Sequence, residues 1–512
     1  MQVHPLRTCG CGQRERLQKH PRVKFRSQVI LKSGANLDQP SGAERSSCMN
    51  DKSGSIESAS RAKSEFQSQA SPLSVLRIPR KWLVAGFSIA ALAAVFMMAR
   101  FGPAGWDASV YSQTVQTVHR GADPYAEGLA ALDDYHQRVA RDPSATHPYA
   151  YVYSPLTLPL IRLLGELPWN LLILLYWLAI ATGALLQLWA GYQMADEGER
   201  RWLPLILPAA IFFPGLITDD VIVSGNVSYI LYGAILLAAT RGWKRGRWGW
   251  YYAAVILASI LKTPMLVFLA FPVLLDRRER LPAALSAGAG LLLFGVQIRL
   301  WPEMFREYLR SLRLVFEWLH DFGFGPASVV ERALAGRGLP IGTSTAIVYL
   351  FSACVLGSIL LFAASRIRDW NVPRHHWVPV ALVGTALLYP RIMKYDMAAI
   401  TVPMLLIMVR GLSAWGRLRS AKSGLLDHGV WRVSNRPLII VGLGWFLTSN
   451  IITVAGPPWV PVEFCTLAGI FGLGIWFVYQ SQFEASAHDL ELARLKALPV
   501  EELDPQRSAL MR

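Results

Sequence analysis

The sequence predicts an all-α polytopic integral membrane protein. Three observations carry this. AVILMFWYC make up 53% of the 512 residues, and mean hydropathy is +0.31. Charged residues are only 17%, against about 25% in ordinary soluble chains. Apolar runs of full or half membrane-crossing length recur along the chain, separated by short basic loops. This composition excludes a fibrous protein, a disordered chain or a disulfide scaffold, and it argues against a soluble enzyme.

The first element is a polar tail. Residues 1–78 are rich in Ser, Gln, Lys and Arg, lack apolar periodicity, and read as a disordered, basic cytoplasmic tail. Met49 opens a stretch, MNDKSGSIESAS, that reads as an ordinary protein start, and no short apolar region with a small-residue cleavage site lies near Met1. Residues 1–81 carry 15 Lys/Arg and 6 Asp/Glu, so much of the net charge of +16 sits before the first apolar run. The rest lies on loops between runs. The positive-inside rule explains that distribution without a nucleic-acid partner. The five cysteines, Cys9, Cys11, Cys48, Cys354 and Cys465, show neither a disulfide framework nor metal-ligand spacing, and no metal is expected.

Thirteen apolar segments follow: 82–99, 154–168, 169–192, 203–217, 226–240, 248–262, 264–275, 281–298, 343–364, 377–389, 395–409, 437–455 and 459–480. The basic loops 241–247, 276–280, 366–376 and 410–436 belong on the cytoplasmic side with the tail. Residues 100–152 then face outward, so 154–240 crosses an odd number of times. It holds four apolar segments, and one of them does not cross fully. The expectation is about 12 transmembrane helices, with long outside loops at 100–152 and 299–342. A transmembrane module over 79–410, further transmembrane helices within 411–482 and a cytoplasmic tail at 483–512 complete the organisation.

Polar residues of chemical interest crowd toward the outer face. Asp107 lies eight residues past the first span, between Trp106 and Tyr111. A carboxylate there suits a general base acting on a hydroxyl from outside; a helix cap is the alternative. Gly121-Ala-Asp-Pro-Tyr125 is a turn or helix start in which Tyr125 can stack on a sugar. Tyr153 and Pro155 lie where an aromatic belt and a first helical turn also belong. Asn226 is an amide at the start of an apolar run, preceded by Asp219 and Asp220. Lys262 and Pro264 break the run 248–275; a lysine there needs a partner, and a phosphate or a snorkelled headgroup contact supplies one. Arg391, Lys394 and Asp396 form the densest polar cluster between spans, either a phosphate clamp oriented by Asp396 or a loop ion pair. Arg306, Arg310 and Arg313 recur at helical spacing, as in a helix lying along anionic headgroups. Ser328 follows in the same outside loop.

Taken in order, these motifs resemble glycosyltransferase family 87, multispan enzymes of the GT-C superfamily that include bacterial polyprenyl-phosphate-mannose-dependent mannosyltransferases. The resemblance covers roughly residues 82–410. Asp107 is similar to the family's catalytic acid. Gly121, Asp123, Pro124 and Tyr125 resemble its G-x-D-P-Y, and Tyr153-Ser154-Pro155 its Y-P-P with Ser154 in place of a proline. Asn226 stands where Gln is frequent, Lys262 and Pro264 resemble a K-x-x-P element shortened by one residue, and Ser328 resembles a loop serine. The final motif departs: Tyr389, Pro390, Arg391, Tyr395 and Asp396 stand where many members resemble S-P-x-S-W-x-H, and there is no histidine.

The resemblance implies a GT-C type bundle in the inner (plasma) membrane with its site on the periplasmic or extracellular side. It implies an inverting transfer of a hexose, mannose above all, from a polyprenyl-phosphate donor to a glycolipid or glycan acceptor. Asp107 would be the base. Lys262, Arg391, Lys394, Asp396, Asn226, Tyr153, Tyr125 and Ser328 would hold the donor, with membrane lipids as surroundings and no cofactor beyond the lipid-linked sugar substrate. A multispan glycan ligase or polymerase, which would use the loop arginines and His320, and a lipid or solute transporter are the competing classes.

Overall fold

A computed structural model describes residues 82, 85, 86, 89, 106–139, 151–200, 225–319, 325, 343–370, 372–390, 392–422 and 460–497. All of them fall in one compact unit, Ile78–Arg512. Every regular element among the described residues is helical, without a strand. The tail, most of segment 82–99, segments 203–217 and 437–455, Asp219, Asp220, His320, Ser328 and Arg391 lie outside the described residues.

In chain order the helices are α1 (Trp106–His119), α2 (Pro124–Val139), α3 (Leu158–Leu164), α4 (Trp169–Met194), α5 (Ser228–Arg245), α6 (Gly249–Leu261), α7 (Ala270–Leu275) and α8 (Arg280–Leu300). After these come α9 (Pro302–Leu319), α10 (Thr343–Asp369), α11 (Arg374–Leu387), α12 (Thr401–Lys422) and α13 (Val460–Ala497). Short 3₁₀ segments at Pro155–Thr157, Thr263–Leu269 and Lys394–Ala399 join some of them.

Four stretches are long and apolar enough to cross a membrane: Trp169–Met194, Arg277–Leu300, Ile347–Asp369 and Phe464–Phe483. Their large apolar side chains face outward. Leu174 and Leu178 on α4, Leu281 and Leu292 on α8, and Phe351 and Phe362 on α10 are all more than half exposed. Such continuous apolar surface is stable only against lipid or another protein. This is the make-up of a multispanning membrane protein.

Segments 203–217, 437–455 and most of 82–99 lie outside the described residues, so the described spans are no count against the expected twelve; the run 248–275, which is described, is broken for a local reason. Pro264 has no N–H to donate, so the helical bond to the Ile260 carbonyl cannot form and the α-helix cannot run on through it. The apolar run 248–275 therefore divides into α6, an extended Lys262 (φ −130°, ψ 90°), a 3₁₀ turn and the single turn-and-a-half of α7. Each half is too short to cross alone. Pro155–Leu164 is likewise a short apolar helix.

The core is built around α11, in which every residue from Trp377 to Leu387 is buried. Against it pack α12, α13, α10 and α4, together with the 3₁₀ turn and α7 that follow Lys262. A smaller, tyrosine-rich cluster of Val110, Tyr125, Tyr151, Tyr153, Phe305 and Tyr308 joins α1, α2 and the strip at 151–157 to α9. The expected surface helix is α9: Arg306, Arg310 and Arg313 are exposed while Phe305, Tyr308 and Ser311 are buried.

The crossing of α4 and α5 positions the site. Gly183 faces the backbone carbonyl of Tyr229, and a Cβ built on Gly233 would lie 2.6 Å from Gly183 Cα. Neither position has room for a side chain, so the two backbones touch, the arrangement small residues permit in membranes. Replacing Gly183 or Gly233 by leucine is expected to cost about 1–3 kcal/mol or more from overpacking. Thermal unfolding of the purified variants should show a lowered melting temperature, while Gly288→Leu, where nothing lies within 4 Å of a Cβ, should leave it near wild type.

Candidate active site

Asp107 stands in the first turn of α1, inside the helix and not ahead of it. Its Oδ2 accepts a 2.8 Å hydrogen bond from Asn226 Nδ2. Asn226 is 2% exposed. Its side-chain oxygen accepts from the backbone N–H of Ser228 at 2.9 Å and from Ser228 Oγ at 2.6 Å. The Ser228 amide can only donate, so the atom facing it must be the carbonyl oxygen. The NH₂ of Asn226 is therefore the group turned to Asp107. Gly225 supplies the bend before it at φ +69°, a conformation that favours glycine. Tyr176 on α4 donates to the Gly225 carbonyl and ties this bend to the neighbouring helix.

The chain of contacts continues. Lys262 Nζ donates to Ser228 Oγ at 2.6 Å and lies 3.6 Å from Asp396 Oδ1. It also sits over the Tyr395 ring, 3.8 Å from the centroid. Asp396 Oδ1 accepts from the Tyr232 hydroxyl at 2.8 Å, and Oδ2 from the Met393 N–H at 3.1 Å. Lys262 and Asp396 are 13% and 6% exposed in their side chains. Four stretches distant in sequence thus meet in one polar line: Asp107, Asn226–Ser228, Lys262, and Asp396 with Tyr232. Along the line from Lys262 to Asp107 every donor points toward Asp107.

An apolar cavity of about 510 Å³ borders this line; Tyr111, Tyr153, Tyr176, Trp177, Val227 and Leu261 are among its walls. Tyr111 is one turn on from Asp107, while Val227 and Leu261 are the immediate neighbours of Asn226 and Lys262. A second cleft of about 470 Å³ shares Thr157, Leu160 and Leu261 with it. Charged chemistry and a greasy volume are therefore side by side.

The structure brings together Asp107, Asn226, Lys262, Asp396 and Tyr153, whose hydroxyl is 2.6 Å from that of Tyr111. Asp396 is the counter-charge of Lys262, while Arg391 and the Lys394 side chain, the cations it was expected to orient, lie outside the described residues. One expectation needs correction. Tyr125 does not face a sugar: it is 0% exposed and donates to the Tyr153 carbonyl at 2.5 Å. Burial holds its phenol well above the ordinary value, so it stays protonated and donates. It props the 151–157 strip from behind. Lys394 begins a 3₁₀ segment; Arg391 and Ser328 lie outside the described residues.

Ser228 and Tyr232 were not singled out from sequence. The signal for Ser228 was present: an Asn two residues before a Ser at a helix start is a side-chain-to-backbone turn. Tyr232, one turn further along α5, shares the face of Ser228.

Removing one member of a buried ion pair strands the other. Asp396→Ala is expected to destabilise the protein by about 3–5 kcal/mol, with Lys262→Met/Asp396→Leu recovering much of the loss. Melting curves of the single and double variants check this.

No curated protein and no solved structure matches the chain. The family model described as Glycosyltransferase family 87 matches residues 151–390. That stretch takes in Tyr153, Asn226, Ser228, Tyr232 and Lys262; Asp107 lies 44 residues before it and Asp396 six residues after. Over residues 151–390, a little under half of its length, the chain is similar to glycosyltransferase family 87.

Proposed function

We propose that this glycosyltransferase moves a hexose, mannose by resemblance, from a polyprenyl-phosphate donor to an acceptor hydroxyl at the outer face of the inner membrane. Asp107 takes the proton of that hydroxyl. The acceptor oxygen bonds to the anomeric carbon while the bond from that carbon to the phosphate oxygen breaks. The lipid phosphate departs with the electron pair, and the single displacement inverts the configuration. Asn226 holds Asp107 in place through one carboxylate oxygen. Lys262, with Arg391 and Lys394, offers positive charge to the leaving phosphate, where charge develops in the transition state. Tyr153 lines the donor's approach, and Ser328 meets it from the outside loop. No cofactor enters the step.

The observation that carries this reading is the juxtaposition of a half-buried carboxylate and a lysine with an apolar cavity. A lipid-linked sugar is amphiphilic in the same way: its tail needs an apolar wall, and its phosphate needs a cation within reach of it. A soluble donor would have no use for the cavity.

The test is transfer from polyprenyl-phosphate mannose by the purified protein beside Asp107→Asn. The amide keeps the size but cannot accept the proton, so the rate is expected to fall about 10²-fold or more, with unchanged melting. Equal rates would remove Asp107 from the mechanism. A wild type that transfers no sugar would remove the donor class. Asn226→Ala removes the N–H that faces Asp107. It is expected to lower kcat about tenfold and raise the lower limb of the pH–rate profile, and Asn226→Gln, which keeps an amide donor, should change both less.

A further inference from the structure

At the end of α11 remote from Lys262 and Asp396, three metal-binding side chains meet. His375 and His376 lie in the first turn of α11, and Asp196 lies in the turn after α4. His375 Nε2 is 2.7 Å from Asp196 Oδ1, and His376 Nε2 is 3.5 Å from Asp196 Oδ2. Their ligand atoms all fall within 4.8 Å of one another.

The convergence itself needs a reason. Consecutive residues on a helix point about 100° apart and do not share a face. Here two consecutive imidazoles, their rings 4.4 Å apart and edge-on, turn the same nitrogen to one carboxylate. Two imidazoles and one carboxylate are a ligand set that zinc sites use.

The charge balance agrees. Arg410, 4% exposed, forms a two-pronged pair with Glu199, Nε to Oε1 at 2.7 Å and Nη2 to Oε2 at 2.8 Å. Its remaining donors reach the His375 carbonyl and the Met194 carbonyl, each at 2.9 Å. Arg410 is 3.9 Å from Asp196 Oδ2, too far for a hydrogen bond. Its charge is met by Glu199. Glu199 also accepts the Asp196 N–H at 2.8 Å, so the carboxylate is carried on a fixed backbone, as outer partners of metal ligands do. Asp196 and His375 are 38% and 44% exposed in their side chains, which leaves a way in from water.

We infer that Asp196, His375 and His376 bind one zinc-class divalent ion, with water completing a four-coordinate site. Two imidazoles and a carboxylate suit Zn²⁺, with bonds of about 2.0–2.2 Å. Mg²⁺ and Ca²⁺ prefer all-oxygen shells. The fourteen residues of α11 span about 20 Å, so this ion is remote from Asp107 and takes no part in the sugar chemistry. It clamps the α4 corner to α11 and, through Arg410 and Glu199, to α12. The inference stands whether or not the proposed transfer is correct.

The full-length protein in detergent, stripped with EDTA and desalted, is given ZnCl₂ or MgCl₂. Bound metal is measured after gel filtration, and melting is followed in parallel. Wild type is expected to retain about one more zinc per chain than His375→Ala/His376→Ala, and to melt several degrees higher with zinc but not with magnesium. Any zinc held elsewhere, by the tail cysteines for instance, is common to both proteins and cancels. His375→Ala alone, at a well-exposed position, keeps the test readable if the double variant does not fold; it should weaken zinc binding about tenfold or more. Equal zinc retention and equal melting shifts in wild type and His375→Ala would overturn the site and leave an ion pair only.

Discussion

The constraint on which the rest of this structure depends is the Lys262 ammonium held inside an apolar bundle. A charged amine at membrane depth is costly unless it is paired and hydrogen-bonded. Three contacts meet that requirement, with Ser228 Oγ, the Asp396 carboxylate and the face of Tyr395, and the break in the helix lets Lys262 leave α6 in extended form. Each contact fixes a neighbour. Ser228 fixes the Asn226 amide, and Asn226 fixes Asp107. Tyr232 and the Met393 N–H fix Asp396. The geometry around Asp107 is thus a consequence of solving the lysine's solvation at the other end of the line.

The helices around this line are arranged to keep it still. The glycine contact between α4 and α5 brings two backbones together with no side chain between them. Tyr176 then reaches from α4 to the Gly225 carbonyl at the head of α5. The wall of the apolar cavity and the amide facing Asp107 are parts of one assembly, so what fills the cavity is felt at the carboxylate. Such close packing transmits displacement because it has little free volume to absorb it.

Some of this was legible in sequence and some was not, and the difference is physical. The break at Lys262 was legible, because a lysine and a proline in an apolar run obey local rules. So was the exposed arginine face of α9, which is a periodicity. Counting basic loops grouped Asp107, Lys262 and Asp396, and the structure brings the three into one polar line. Which acid meets which base was not legible. Asp396 is two residues from Lys394, yet its partner is Lys262, a choice made by the packing of α5, α6 and the 3₁₀ turn before α12. Tyr125 misled for a related reason: a tyrosine in a loop motif looks the same whether it stacks on a ligand or fills a core. The pairing of Asp196 with His375 and His376 left no local trace, since each lies in an ordinary polar turn between apolar runs.

The Lys262–Asp396 pair also bears on how the chain is made. The two residues are separated by more than a hundred positions, and synthesis at about 5–20 residues per second puts Asp396 on the order of 10 s behind Lys262. During that interval the amine is in or near the bilayer without its carboxylate, while α5, which carries Ser228, is already complete. The hydroxyl of Ser228 is the first partner on hand, and the acid arrives as a replacement for water or lipid headgroups. The bundle is therefore locked from its carboxyl-terminal side, and a nascent chain stopped short of the turn before α12 would hold a complete α4–α5 pair around an unneutralised charge.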